Sequence, residues 1–364
     1  MDIEIKRADL AQHRLIEAAP APLAEGQARL RVDAFALTTN NITYGVFGDM
    51  LRYWAVFPAS DEPEVWGRIP TWGFAECIES RSADLAVGER IYGFMPMSTE
   101  FVMTPGRATE RSLFDVAEHR HGLAGTYNSY QRCATDPAYR ADREAHQMLL
   151  YPLFVTSFII DDFLIDHEDF GTEQIIISSA SAKTAIGAAL LGHRRGQRIV
   201  GLTSAGNAAF VESLGVYDSV VTYEDVATID RVPSVYVDIA GNQDVLFALH
   251  THLDGVLRHS MVVGNTNWSA ETTADISALP APAPEFLFAP TQLAKRTQEW
   301  GREGLDARMG EAWQAYADWT DTWLTFHEHR GTEAVLAAWE RIRTGTLDPA
   351  TGDICSLTTG DTNG

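Results

Sequence analysis

Gln174-Ile175-Ile176-Ile177-Ser178-Ser179-Ala180-Ser181-Ala182-Lys183-Thr184-Ala185 passes from an apolar run into a chain of small residues and then into helix-forming sequence. The first part predicts a short buried strand, and Thr184 to Leu191 an apolar helix. The alternation continues outward. Arg198 to Leu202 predicts a second strand and Ala205 to Leu214 a second helix. Ser219 to Val221, Ser234 to Asp238 and His259 to Val263 predict three more strands. Buried runs separated by helices imply a parallel, doubly wound sheet of Rossmann type.

A helix N-terminus presents free N–H groups and the positive end of the helix dipole, which suits phosphate. The small residues Ser181 and Ala182 would let the backbone approach a pyrophosphate closely, as glycines do in the G-x-G-x-x-G turn that is missing here. Lys183, one of only three lysines beside Lys6 and Lys295, stands in this turn, where its ammonium would reach a phosphate. Thr184 adds a hydroxyl. Ala182-Lys183-Thr184 also resembles the end of a P-loop, but Ile177 and Ala182 replace both required glycines, which argues against an NTPase. After the second strand come Thr203, Ser204, Ala205, Gly206 and Asn207. An NAD-binding fold places an acid there for the ribose hydroxyls, and none is present. Hydroxyl and amide donors favour a 2′-phosphate, hence NADP over NAD.

Residues 1 to about 110 read as β-rich, with alternating runs at Ala28 to Leu37, Gly73 to Glu79 and Arg90 to Phe94. A polar insertion follows over 111–147. Pro280 to Pro284 marks a connection, residues 291–343 read as helical, and the tail beyond Thr344 reads as irregular. Trp313, Tyr316, Trp319, Trp323 and Phe326/His327 recur at helical spacing. The predicted organisation is a β-rich catalytic domain over 1–150, a dinucleotide-binding domain over 151–290, and a helical segment over 291–364 that returns to the N-terminal domain.

The 364 residues carry 28 Lys+Arg against 50 Asp+Glu, a formal charge of −22. Such a surface repels phosphate backbones and argues against nucleic-acid or anionic-membrane partners. Cys77, Cys133 and Cys355 form no C-x-x-C and fit a reducing cytoplasm. The N-terminus carries acids where a signal peptide needs positive charge. No apolar stretch of membrane-spanning length is expected. The histidine pairs 119/121, 250/252 and 327/329 lack a nearby third ligand, so no metal is expected. No lysine follows a tyrosine by four residues, and no G-x-S-x-G occurs, which argues against a short-chain reductase and a nucleophile-elbow hydrolase.

Several segments resemble the zinc-free, quinone-oxidoreductase-like branch of the medium-chain dehydrogenase/reductases. They are Leu85 to Phe94, Ser98 to Val102, Phe210 to Asp218 and Val237 to Asn242. Thr38 to Gly45, Tyr127-Asn128-x-Tyr130, Ser178 to Ala185 and Phe288-Ala289-Pro290 are more specifically similar to the DUF2855 group. The resemblance implies a GroES-like β-rich domain, a Rossmann-type domain, NADP(H) as cofactor, and a homodimer. It also implies hydride transfer to a ketone, a quinone or an α,β-unsaturated carbonyl. Such chemistry needs a donor aimed at the oxygen that gains charge. Tyr44 is the expected donor, beside the segment where zinc-free relatives put polar and tyrosyl residues. Asn41 is expected to orient substrate or cofactor, and Tyr127 to act with them. Asn128, Tyr130 and Trp54 are the expected substrate contacts, within an aromatic set that includes Tyr53, Phe57, Trp66 and Trp72. Arg132 is expected to anchor a carboxylate or the 2′-phosphate. Two alternatives stay open: a lyase or isomerase using NADP transiently, and a dinucleotide-binding protein without catalysis.

Overall fold

The computed structural model describes residues 1–17, 19–123, 125–263, 279–287 and 289–359, so Phe288 of the Phe288-Ala289-Pro290 signature lies outside the described residues. The chain divides into two compact units, Met1–Leu149 with Leu324–Gly364, and Leu150–Trp323.

In the first unit, β1 (Asp2–Lys6) pairs antiparallel with β2 (Asp9–Ile16) and with the short β4 (Trp66–Gly67). The main sheet is built on β3 (Ala28–Leu37), which pairs with β5 (Pro70–Ser80) and, at its start, with β7 (Glu100–Met103). Between β3 and β4 lies helix α1 (Thr39–Val46). Outward from β5 run β6 (Arg90–Pro96), β10 (Ser129–Arg132), β9 (Ser112–Asp115) and β8 (Pro105–Gly106). The stretch expected as an inserted loop over 111–147 therefore contributes two strands, with the short helix α2 (Gly125–Asn128) between them. Tyr130 fits into the sheet because Gly93 opposite has no side chain: a Cβ there would sit 2.5 Å from the Tyr130 ring.

In the second unit, β11 (Gln174–Ser178), β12 (Ile199–Thr203), β13 (Ser219–Thr222), β14 (Ser234–Asp238), β15 (Leu257–Val262) and β16 (Glu285–Phe286) form one sheet. All pairs are parallel, in the order β13-β12-β11-β14-β15-β16. This is the doubly wound order, reversing between β11 and β14. Every residue of β11, β12 and β14 is buried, as a sheet covered on both faces requires. Helices α4 (Lys183–Arg194), α5 (Ala208–Ser213) and α6 (Gln243–His252) follow β11, β12 and β14. Gly187 in α4 lets the helix close on Ser157, whose Oγ would be 2.5 Å from a Cβ at that position.

Three expectations need correction. First, helix α3 (Glu144–Asp166) is long and apolar: the most apolar 18-residue window of the helical stretch Ala141–Asp166 has a mean hydropathy of 1.8 and length enough to cross a membrane, with 56% of that window buried in the protein. Its second-unit part is a packed helix. Phe154 stacks on Tyr316 at 5.0 Å, and Ser157 Oγ donates to Thr184 O at 2.8 Å. Second, the helical run over 291–343 is broken. Helix α7 (Ala289–Thr320), kinked at Gly301, belongs to the second unit, whereas β17 (Thr325–Arg330) and α8 (Thr332–Arg343) belong to the first. Phe326 and His327 thus lie on a strand. Third, the tail is not irregular. Strand β18 (Thr351–Ser356) inserts between β17 and β3, its last five residues all buried.

Candidate functional site

The turn after β11, Ser179-Ala180-Ser181-Ala182, contains no glycine and is held in place by hydrogen bonds. Ser179 is left-handed at φ 52°, a conformation that costs a residue with a Cβ about 1–2 kcal/mol. The neighbouring groups fix it. Ser179 N donates to the Tyr223 hydroxyl at 3.1 Å, and Ala180 N to Leu202 O at 3.1 Å. Ala180 O accepts from the Tyr217 hydroxyl at 2.8 Å. Gly201 leaves room for that arrangement, since a Cβ there would lie 2.8 Å from the Tyr217 ring and 3.1 Å from Ala180 Cβ.

At the point of strand reversal, Ser178 Oγ donates to Asp238 Oδ1 at 2.8 Å and accepts from Ile239 N and Ala240 N at 2.9 and 3.0 Å. Tyr236 also donates to Asp238 Oδ1, at 3.1 Å. Burial pushes the Asp238 carboxyl above its ordinary range, and these donors counter part of that push. Asp238 therefore serves the framework of the turn.

Of the expected cofactor residues, Ala182 caps α4 without a side-chain acceptor, so no side chain occupies the helix N-terminus from that position. Ser181 Oγ accepts from Asn207 Nδ2 at 3.0 Å, which ties the turn to the loop after β12. Lys183 and Thr184 open the helix, and their carbonyls accept from Tyr316 and Ser157. Ser204 begins that loop, and no acid stands between Ser204 and Asn207. Thr203 is buried in the sheet opposite Thr222, which leaves it a framework role. Small side chains, a helix start without a side-chain cap from Ala182, and a loop without acid at the strand reversal together fit a dinucleotide phosphate.

In the first unit, an aromatic cluster gathers around α1. The Tyr44 ring lies 4.6 Å from Tyr53 and 5.6 Å from Phe94. Tyr127 stacks on Phe94 at 5.0 Å and 13°. The hydroxyls of Tyr53 and Tyr127 are 2.8 Å apart. Burial, and Tyr127 beside it, push the Tyr44 phenol well above its ordinary value. The side chains of Trp72 and Asn40 offset part of that shift, although Trp72 Nε1 is buried without an aligned hydrogen-bond partner among the described residues. Asn128 Oδ1 is a second such atom, an acceptor next to Tyr127.

The segment carrying Tyr127 is anchored from below, which the sequence did not signal. Arg120 is wholly buried, with Nε 2.9 Å from Asp115 Oδ2 as an ion pair not aligned as a hydrogen bond. Its NH1 donates to Tyr127 O at 3.3 Å, and its own carbonyl accepts from Asn128 Nδ2 at 3.2 Å.

Four expected residues have other employment. Asn41 caps α1: its Oδ1 accepts from Thr38 N at 2.7 Å and its Nδ2 donates to Pro70 O at 2.9 Å. Tyr130 is fully buried, and its hydroxyl donates to Phe94 O at 2.8 Å. Trp54 fills the space beside Gly48 and Gly67, where a Cβ would come within 2.2 and 2.4 Å of the indole. Arg132 pairs with Glu89 and donates to Asp84 O at 2.6 Å. Asn41, Tyr130 and Arg132 each bond protein groups, and Trp54 packs against two glycines, so all four make framework contacts.

Among the described residues no group of three or more His, Cys, Asp and Glu is arranged to hold a metal ion. His250 illustrates why its pair is structural: it is fully buried, with Nδ1 3.0 Å from Pro280 O and Nε2 2.9 Å from Ser260 Oγ.

Comparison with known proteins is informative at two levels. A family model described as "Protein of unknown function (DUF2855)" matches residues 35–348. No curated protein matches the sequence. Among solved structures, CurA from Vibrio vulnificus in complex with NADPH is similar at a TM-score of 0.60 and 13% identity, covering 96% of this chain and 95% of that one. The yhdH oxidoreductase from Salmonella enterica in complex with NADP matches at 0.55 and 12%, covering 98% and 99%. A mutant enoyl thioester reductase from Candida tropicalis matches at 0.56 and 10%, covering 98% of each chain. These likenesses carry the fold: a GroES-like β-rich unit and a Rossmann-type unit.

Proposed function

Because the chain belongs to the DUF2855 family, described as of unknown function, we propose its activity from its own residues: an NADPH-dependent oxidoreductase that reduces a ketone, a quinone or an α,β-unsaturated carbonyl. The observation that carries this reading is the β11–α4 turn at the strand reversal, tied by Ser181 to an acid-free loop at Asn207. Ser181, Ala182, Lys183 and Thr184 would hold the pyrophosphate, and Ser204 and Asn207 the 2′-phosphate. The dinucleotide supplies a hydride when bound; the protein supplies position and a proton. That proton belongs to the hydroxyl cluster of Tyr44, Tyr53 and Tyr127, and Trp72 Nε1 adds a buried N–H for an oxygen that gains charge. Trp72 and Tyr127, the half-buried rings packed on the buried Phe94, would offer the aromatic surface that suits a planar conjugated carbonyl. The three cysteines are buried thiols, which suits a reducing cytoplasm.

Fluorescence titration with NADPH and NADH, on wild type and Lys183→Ala, tests the cofactor. Selective NADPH binding that weakens about tenfold in the variant, the value of one charge-assisted contact, is the expected result. Net NADPH consumption across a carbonyl panel then separates a reductase from a lyase or isomerase. Binding without turnover would favour the non-catalytic reading, and binding of neither nucleotide would remove the proposal.

A further inference from the structure

We propose that Tyr127 delivers the proton to the reduced substrate oxygen and that Tyr53 is its positioning residue, donating a hydrogen bond to the Tyr127 oxygen so that the Tyr127 proton is the one left for the substrate. This deepens the reductase reading and rests on it. The argument begins with hydroxyl bookkeeping at the 2.8 Å contact between Tyr53 and Tyr127. Each phenol has one proton to donate. Tyr53 is only 5% exposed, and its hydroxyl has no other hydrogen-bond partner among the described residues. Were Tyr127 the donor, the Tyr53 proton would be buried with no acceptor, an arrangement that proteins avoid. With Tyr53 as donor, the remaining proton sits on Tyr127, the less buried of the two.

Three further contacts make Tyr127 suited to this role. Its ring is held flat against Phe94. Its backbone is held by Arg120, which the buried Asp115 fixes in turn. Asn128 beside it donates its Nδ2 to Arg120 O at 3.2 Å, which ties the same segment down a second time. Tyr44 is less suited. Its ring is packed between Tyr53 and Phe94, and burial holds its proton more firmly than an ordinary phenol would. Proton balance is simple: the hydride adds to carbon, the substrate oxygen takes the Tyr127 proton, and solvent restores it. A hydrogen bond received from Tyr53 stabilises the phenolate formed at that moment.

The test uses the full chain labelled with 13Cζ-tyrosine, as wild type, Tyr53→Phe and Tyr127→Phe. The Tyr127 resonance is assigned by its loss in Tyr127→Phe. In Tyr53→Phe this resonance is expected to move, because the hydrogen bond it accepts is gone. With a carbonyl that the protein reduces in hand, Tyr53→Phe is expected to lower kcat about tenfold with KM unchanged, as loss of one charge-assisted hydrogen bond would. Tyr127→Phe is expected to lose more. An unmoved Tyr127 resonance in Tyr53→Phe would overturn the pairing, whatever the activity. A moved resonance with unchanged kcat would overturn the proton-delivery role. A resonance that moves in Tyr53→Phe, with a wild type that reduces no carbonyl, would sink the reductase reading while leaving the polarised pair in place.

Discussion

At the residue scale, what distinguishes the tyrosines of the first unit is where each hydroxyl ends. Tyr127 and Tyr130 are three positions apart and chemically identical, yet one meets Tyr53 and the other a main-chain carbonyl. Sequence could single out the pair but not divide it, because the division depends on Gly93 opening a slot in a neighbouring strand. The same holds for Trp54, whose burial depends on Gly48 and Gly67. In the second unit the residues of the turn were legible, since strand, small residues and helix start are contiguous. The bond from Asn207 to Ser181 was not, because it joins two loops 26 positions apart. The assignment of Tyr130 to the framework gives a prediction. Tyr130→Phe leaves Phe94 O without that partner and should cost about 1 kcal/mol in urea denaturation while leaving turnover unchanged. Tyr127→Phe should lower both: turnover falls because the proton donor is lost, and the urea midpoint falls because the buried Tyr53 hydroxyl loses its acceptor. Equal losses of turnover in both would show that the two hydroxyls share one role.

At the element scale, local patterns located β3 by its alternation, and β11, β12 and β14 closely because each is a continuous buried run. They failed at the C-terminus. β17 is mostly exposed, and its Phe326 extends the helical spacing of the tryptophans before it, so periodicity carried the helix too far. β18 is short, and its burial comes from partners distant in sequence: β3 on one side and β17 on the other. Such pairing has no local signal. α3 shows the converse problem, since a buried helix without an amphipathic stripe reads as featureless apolar sequence. The position of β18 makes a truncation informative. Ending the chain at Asp348 removes a strand from within a sheet, together with buried Ile354, Cys355 and Leu357. At about 1.5–3 kcal/mol for each large apolar side chain, the loss is about 5 kcal/mol, comparable with the whole stability of a domain. Near-UV circular dichroism should show the aromatic signal of the first unit collapse. A truncated chain with the signal intact would mean that β18 is dispensable.

At the scale of the whole molecule, the excess of acids sets the response to pH, and buried histidines act against it. With a formal charge of −22, mild acidification reduces self-repulsion and favours the folded chain. His250 and His259 oppose this. Burial lowers both below the ordinary histidine value, so the unfolded chain binds protons first as pH falls below about 6.5. A depressed folded pKa means that stability is present above that pH and is lost on acidification. The two histidines differ in how they can be replaced. His250 bonds at both nitrogens, to Pro280 O and Ser260 Oγ, so an apolar ring there would strand two partners. His259 is stacked on Phe170 at 4.1 Å and 2°, and its Nε2 is buried with no partner among the described residues. Phenylalanine would keep the stack and remove the orphaned nitrogen. His259→Phe should therefore raise stability by about 1 kcal/mol at pH 7 and by more at pH 5, with a flatter acid limb than wild type. Thermal melts of both proteins between pH 5 and 8 measure the difference directly. Parallel curves would mean that His259 binds its proton equally in the folded and unfolded chain, and that the acid limb belongs to other groups.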